Sequence, residues 1–124
     1  MTSRPRTPPG LRARGARYWK KITGEFDLSD SERELLLEVC RTLDNLDALA
    51  DAVTEHGAVV RGAAGQVTTN PALTEARGQR ALAHRLIAAM NLPDEEGQAV
   101  PNAYSQRGKA ANAARWRGHQ KDAG

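Results

Sequence analysis

The chain has 124 residues and a formal net charge of +3, and 40% of its residues are hydrophobic but only 4% aromatic. So short a chain with so few large side chains forms at most one domain with a thin core, which favours burial between subunits. One cysteine, Cys40, excludes an intramolecular disulfide framework and a cysteine-rich zinc site, and no apolar run is long enough to span a bilayer. We therefore expect a soluble intracellular protein without a cofactor, in which Cys40 packs in the interior.

Positive charge is concentrated at the start of the chain. Residues 1–21 carry seven cations and no acid, whereas residues 22–93 carry six cations against eleven acids and residues 94–124 carry five against four. The seven cations are Arg4, Arg6, Arg12, Arg14, Arg17, Lys20 and Lys21. A basic arm on an acidic body attracts a polyanion to one end, so these side chains are the candidate DNA contacts. The alternative is that they only keep a disordered tail solvated.

The arm divides into an irregular start and a short helix. Residues 5–10 contain three prolines and one glycine, which oppose regular structure. Residues 11–22 have the loose apolar spacing of a short amphipathic helix with cations on its other faces. Trp19 either docks this helix on the body or lies exposed beside phosphate-binding cations. Docking is favoured because Trp19 and Ile22, three residues apart, share a face.

A long helix is predicted next. Ser29 and Glu32 have the spacing of a capping box, so the helix should begin near Asp30. Apolar residues then recur every three or four positions over about 26 residues. They are Leu36, Val39, Leu43, Leu46, Ala50 and Val53. The charged residues predicted to lie outside this apolar seam are Glu38, Arg41, Asp44, Asp47, Asp51 and Glu55. Because the apolar seam runs along most of this long helix, another helix has to pack against it over most of its length.

The residues after this helix predict, in order, a helix end and a short β-hairpin or extended turn. Gly57 suits a helix C-terminus, where a residue free to adopt positive φ closes the last turn. Val59 and Val60, then residues 67–69, are β-branched and flank residues 61–66, which predicts a small β-hairpin or an extended turn.

A second helix should run from about Pro71 to Met90 or Asn91, with Asn70 as its N-cap and Pro93 preventing continuation. Its apolar stripe should pack antiparallel on the long helix, which gives an all-α fold built on a helical hairpin. We expect the apolar seams to contribute to self-association, although sequence alone does not divide intrachain from interchain contacts. The candidate oligomerisation residues are Leu36, Val39, Leu43, Leu46, Val53, Leu82 and Leu86.

The chain is accordingly divided into a basic arm with its short helix (1–24), a hairpin core for oligomerisation (25–93) and a flexible, mostly disordered tail (94–124). In the tail, Arg115, Trp116 and Arg117 form a candidate protein-docking anchor or DNA contact. His56, His84 and His119 have no ligand partners at metal-binding spacing, and no GxxxxGK[ST] motif or catalytic triad pattern occurs, so neither a metal site nor an enzyme is expected.

Four features follow one another along the chain: the basic Pro-Gly start, Tyr18-Trp19, the Leu-rich helix with Cys40, and residues 57–93 ending in Leu92-Pro93. In this order they resemble the small terminase subunit of tailed double-stranded DNA phages. The resemblance covers roughly residues 8–93, and it rests on the order of the motifs more than on any single one. It implies a non-catalytic subunit that forms a closed ring in the host cytoplasm and binds viral DNA. It also implies that the chain recruits and regulates the large terminase subunit, which carries the packaging ATPase and nuclease.

Many small terminases carry an N-terminal helix-turn-helix, a motif in which three or four residues join two helices. Here fourteen residues, from Gly57 to Asn70, separate the two long helices. This departure favours contact between the basic arm and DNA phosphates over base-specific readout. The main alternative is a small basic dimeric DNA-binding regulator unrelated to packaging. A third possibility is a structural interaction protein that binds no nucleic acid.

Overall fold

The computed structural model describes residues 5–93. These residues form three helices and one two-stranded sheet in the order α1 (Ala13–Glu25), α2 (Asp30–His56), β1 (Val59–Arg61), β2 (Val67–Thr69) and α3 (Pro71–Met90). The expectation of a mainly helical protein with a small β-hairpin between two long helices is confirmed. The first helix begins and ends two to three residues later than its apolar spacing predicted.

Both ends of α2 form as the sequence predicts. The Ser29 hydroxyl accepts a hydrogen bond from the Glu32 backbone N–H at 3.2 Å, and the Glu32 carboxylate accepts one from the Ser29 N–H at 2.9 Å, which completes the capping box. At the other end Gly57 has a φ of 87° and donates to the Val53 carbonyl. The 27-residue helix is therefore about 40 Å long at 1.5 Å per residue.

Asn70 fixes the start of α3 and ties it to the end of α2. Its side-chain oxygen accepts from the Ala72 N–H at 3.0 Å, while its side-chain nitrogen donates to the Gly57 carbonyl at 2.8 Å. At the far end Asn91 adopts the left-handed conformation with a φ of 51°, and Pro93 follows. The predicted N-cap at Asn70 and the predicted end of this helix at Met90 are both confirmed.

Helices α2 and α3 pack antiparallel. Their near ends meet at Asn70 and Gly57, and their middles meet where the Asn45 side chain donates to Gln79 at 3.4 Å. Met90 at the end of α3 lies in the same core cluster as Leu36 near the start of α2. The chain directions are therefore opposite along the whole contact.

The core is shared by all three helices. Its buried members are Trp19, Ile22, Leu28, Leu36, Val39, Cys40, Leu43 and Met90. Trp19 is only 4% exposed, so the prediction that it docks α1 on the body is confirmed, and so is the packing role of Cys40. One prediction is wrong: Asp44, expected outside the apolar seam, is buried at 7% exposure because α1 covers its side of α2.

Candidate nucleic-acid interface

Helix α1 is fixed in orientation by the apolar residues on its inner side. Trp19 and Ile22 are buried against α2, and the Thr23 hydroxyl donates to the Trp19 carbonyl at 2.8 Å. Burying a tryptophan and an isoleucine contributes several kcal/mol, each large aliphatic or aromatic side chain being worth roughly 1.5–3 kcal/mol. The opposite side of α1 must then face away from the body.

Asp44 provides the N-terminal cap of α1 from a different helix. Its two carboxylate oxygens accept hydrogen bonds from the backbone N–H groups of Arg12 and Gly15, each at 2.7 Å. Arg12 is the N-cap residue but forms no side-chain cap of its own. A negative charge at the positive end of a helix, bonded to its free N–H groups, is favourable, so Asp44 sets both the position and the direction of α1.

Gly15 permits this close approach. A methyl group at its Cα would lie 2.5 Å from an Asp44 carboxylate oxygen and 2.7 Å from the Cys40 carbonyl. These distances are far shorter than van der Waals contact, so only glycine allows α1 to approach α2 closely enough for the cap. Because Asp44 occupies the N-terminus of α1, that end is not available to a phosphate, and any anion must be bound by side chains.

Three predicted DNA-binding cations lie together on the outer side of α1. Arg17, Lys20 and Lys21 are exposed and separated by three and four residues, which places them on one face, opposite Gly15, Trp19 and Ile22. Their side chains make no ion pair among the described residues. They form a compact positive surface, which we call the α1 cationic face.

The other predicted cations are arranged differently. The Arg6 and Arg12 side chains are exposed ahead of the helix. Arg14 points toward α2 and forms an ion pair with Asp47 at 3.0 Å, so its charge is already paired within the chain. Arg4 lies outside the described residues, as do Arg115, Trp116, Arg117 and the rest of the predicted flexible tail, 94–124.

The candidate oligomerisation residues separate into two groups. Leu36 and Val39 have no exposed surface and Leu43 is 8% exposed, so these three side chains are occupied in the core of a single chain. Leu46, Val53, Leu82 and Leu86 are half-buried. A contact between copies therefore has to use the second group or surfaces that the apolar periodicity did not single out.

Sequence reasoning missed two exposed features. The β-hairpin carries Val59 and Val67 at 57% and 66% exposure, and α3 carries Leu73 and Ile87 at 37% and 38%. Between α2 and α3 lies a groove of about 510 Å³ that is lined by apolar residues of both helices and by charged side chains that include Asp47 and Arg80. The exposure of Val59 and Val67 could be recognised only once the register of the hairpin showed which face of the two strands carries these side chains.

Comparisons with known proteins identify no relative of this chain: no family model, no curated protein and no solved structure matches it. Within residues 5–93, none of the helices has the length and apolar character needed to cross a bilayer. The same residues contain no group of three or more histidine, cysteine or acidic side chains placed to hold a metal ion.

Proposed function

We propose that this chain is the small terminase subunit of a tailed double-stranded DNA phage, a non-catalytic protein that holds viral DNA and regulates the large packaging subunit. The observation that carries the DNA-binding part is the α1 cationic face: three cations that form no ion pair within residues 5–93, on one side of a helix whose other side is anchored in the core. The packaging role rests on the resemblance of residues 8–93 to that family. Self-association into a closed ring is part of the same proposal.

The mechanism of DNA binding is phosphate contact. Arginine and lysine side chains on a fixed helix face bind the sugar-phosphate backbone without reading bases, and each phosphate neutralised releases condensed counterions. Anchoring α1 on α2 reduces the entropy lost on binding, because the helix is already formed and oriented. Arg6 and Arg12 extend the positive surface beyond the helix. Affinity should therefore fall steeply with salt and depend little on sequence.

The test compares two doubly substituted proteins with the same net charge. Arg17→Gln/Lys21→Gln removes two members of the α1 cationic face, and Arg41→Gln/Arg85→Gln removes two exposed cations from α2 and α3. We expect the first variant to bind duplex DNA more weakly and to reduce the slope of log affinity against log salt by about 2, since each contact contributes about 0.9. The control should behave like the parent protein. Equal weakening in both variants would mean that net charge alone attracts DNA and that α1 has no special role.

Two measurements test the packaging role: the native mass of this chain and its effect on the ATPase rate of the large terminase subunit. A single species of many copies is expected in solution, and adding it to the large terminase subunit encoded in the same genome should change the ATPase rate of that subunit. A dimer that leaves the ATPase rate unchanged would favour the small dimeric DNA-binding regulator instead. A protein that binds no duplex at low salt would favour the structural interaction protein.

A further inference from the structure

Among the residues that the structure describes, no strand pairs with either outer edge of the β-hairpin between α2 and α3. Its register pairs Val59 with Thr69, Val60 with Thr68, and Arg61 with Val67. The flanking pairs are hydrogen-bonded across the ladder: the Asn70 N–H donates to Ala58 at 2.8 Å, and the Gly62 N–H donates to Gln66 at 2.7 Å. Hydrogen-bonded and non-bonded pairs alternate in an antiparallel ladder. The backbone N–H and C=O groups of residues 59, 61, 67 and 69 therefore point outward from the two edges.

The side chains at these edge positions also lack cover. In the pleat, residues 59 and 61 of β1 and residues 67 and 69 of β2 lie on one face, where Val59 and Val67 are mostly exposed. A two-stranded hairpin is at best marginally stable in isolation, and an open edge readily pairs with another strand. Both the backbone and the side chains of this hairpin are thus suited to strand addition.

We propose that β1 of one copy pairs with β2 of the next copy, so that the hairpins of successive subunits join head to tail into one continuous antiparallel sheet. This inference rests on the proposed homo-oligomer and specifies which surfaces of neighbouring copies meet. Because β1 and β2 run in opposite directions, repeating the same β1–β2 step around a rotation axis keeps every neighbouring pair antiparallel. Such a heterologous contact produces a ring when the rotation closes.

The charges of the adjoining helices favour this order of copies. Strand β1 continues from α2, and β2 leads into α3. A β1–β2 contact therefore brings the end of α2 in one copy near the start of α3 in the next. The exposed residues Asp51 and Glu55 make that part of α2 acidic, whereas the first half of α3, residues 71–80, carries two arginines against one acid, Glu75, and so has a net charge of +1. The two surfaces attract each other across the contact.

The same charges oppose a two-fold arrangement. Pairing β1 with β1 would place the acidic ends of two α2 helices side by side, and pairing β2 with β2 would place together the first halves of two α3 helices, each with a net charge of +1. Like charges facing each other across an interface are unfavourable, so charge complementarity selects the head-to-tail contact. Strands of only three residues supply few hydrogen bonds, which makes the helix charges an essential part of the interface.

Crosslinking between differently tagged copies tests the strand order. Val59→Cys and Val67→Cys are each placed in a Cys40→Ala background, the two proteins are co-expressed, and disulfide crosslinking of the native assembly is induced with a mild oxidant. A disulfide is required because the same position of successive copies lies two strands, about 10 Å, apart, beyond disulfide reach. We expect crosslinked pairs that contain one copy of each tag. Either variant expressed alone is the matched control and should give no crosslinked pair, since β1 does not meet β1 and β2 does not meet β2.

Other outcomes overturn the inference in distinguishable ways. Crosslinks in either variant alone would establish two-fold pairing. A multi-copy native mass without mixed crosslinks would refute the hairpin contact and leave the proposed ring intact. A monomeric native mass of the parent protein would refute both.

A proline variant provides a second readout. The Val59 N–H points away from the intrachain ladder, so Val59→Pro removes an outer donor without removing a bond of the hairpin itself. We expect Val59→Pro to lower the native mass while the helical circular dichroism is retained, and Val59→Ala to keep the native mass of the parent. An unchanged native mass for Val59→Pro would overturn the pairing of this edge.

Discussion

The contact between α1 and α2 predicts opposite effects for the same substitution at two glycines. In Gly15→Ala the new methyl group would lie 2.5 Å from Asp44 and 2.7 Å from the Cys40 carbonyl, so α1 must move away from α2. Overpacking of this kind costs about 1–3 kcal/mol, and stretching two charge-assisted hydrogen bonds adds about 1–2 kcal/mol. Alanine recovers about 1 kcal/mol of helix propensity. The expected net loss is about 1–4 kcal/mol of unfolding free energy.

Gly78→Ala is the matched control. Gly78 lies within α3, and a methyl group there would meet no atom of residues 5–93 within 4 Å. This variant should gain about 1 kcal/mol because alanine is the better helix former. Urea unfolding followed by circular dichroism measures both changes at equal protein concentration. A Gly15→Ala protein as stable as the parent, with an unchanged denaturant slope, would refute the close approach of α1 and the cap at Asp44.

Two further predictions concern the core beneath α1. Within the described part of the chain, the buried Trp19 indole N–H has no hydrogen-bond partner, so Trp19→Phe loses no hydrogen bond there. This variant should cost about 1 kcal/mol in urea unfolding, against about 3–5 kcal/mol for Trp19→Ala, and equal costs would contradict the prediction. Burial, with the nearby Asp44 charge, raises the pKa of Cys40 from 9.0 to about 12, so above about pH 9 the unfolded state loses a proton that the folded state keeps. As the pH rises above about 9, the unfolding free energy of the parent should therefore fall more steeply than that of Cys40→Ala, by up to about 1.4 kcal/mol per pH unit. Parallel profiles of unfolding free energy against pH for the two proteins would refute this.

The local architecture was predictable because its signals are carried by adjacent residues. Ser29 and Glu32 meet within one turn, Asn70 bonds an amide two residues away, and Gly57 needs only its own freedom to adopt positive φ. Such short-range rules do not depend on which helix lies where. The bounds of α2 and α3 follow from them, as does the position of the hairpin.

The predictions that remained open or proved wrong depend on tertiary contacts. Leu36 and Val53 belong to the same apolar seam of α2, yet Leu36 is fully buried and Val53 only partly. Leu36 lies in the part of α2 that α1 contacts, around Asp44, whereas Val53 lies near the opposite end of the helix. Periodicity reports which side of a helix is apolar and not how much of that side a third helix covers. The division between intrachain core and available surface therefore required the position of α1.

Asp44 is the residue whose role sequence reasoning could least supply, and it determines the geometry of the candidate interface. A helical wheel of α2 groups the Asp44 carboxylate with the solvent-facing charges, although it lies beside Cys40. Nothing within α2 itself explains why Asp44 is buried. Its partners, the N–H groups of Arg12 and Gly15, are 32 and 29 residues away. By holding the start of α1 while Trp19 holds its middle, Asp44 leaves only one side of that helix exposed, and Arg17, Lys20 and Lys21 occupy it. A buried acid thus directs the cations outward.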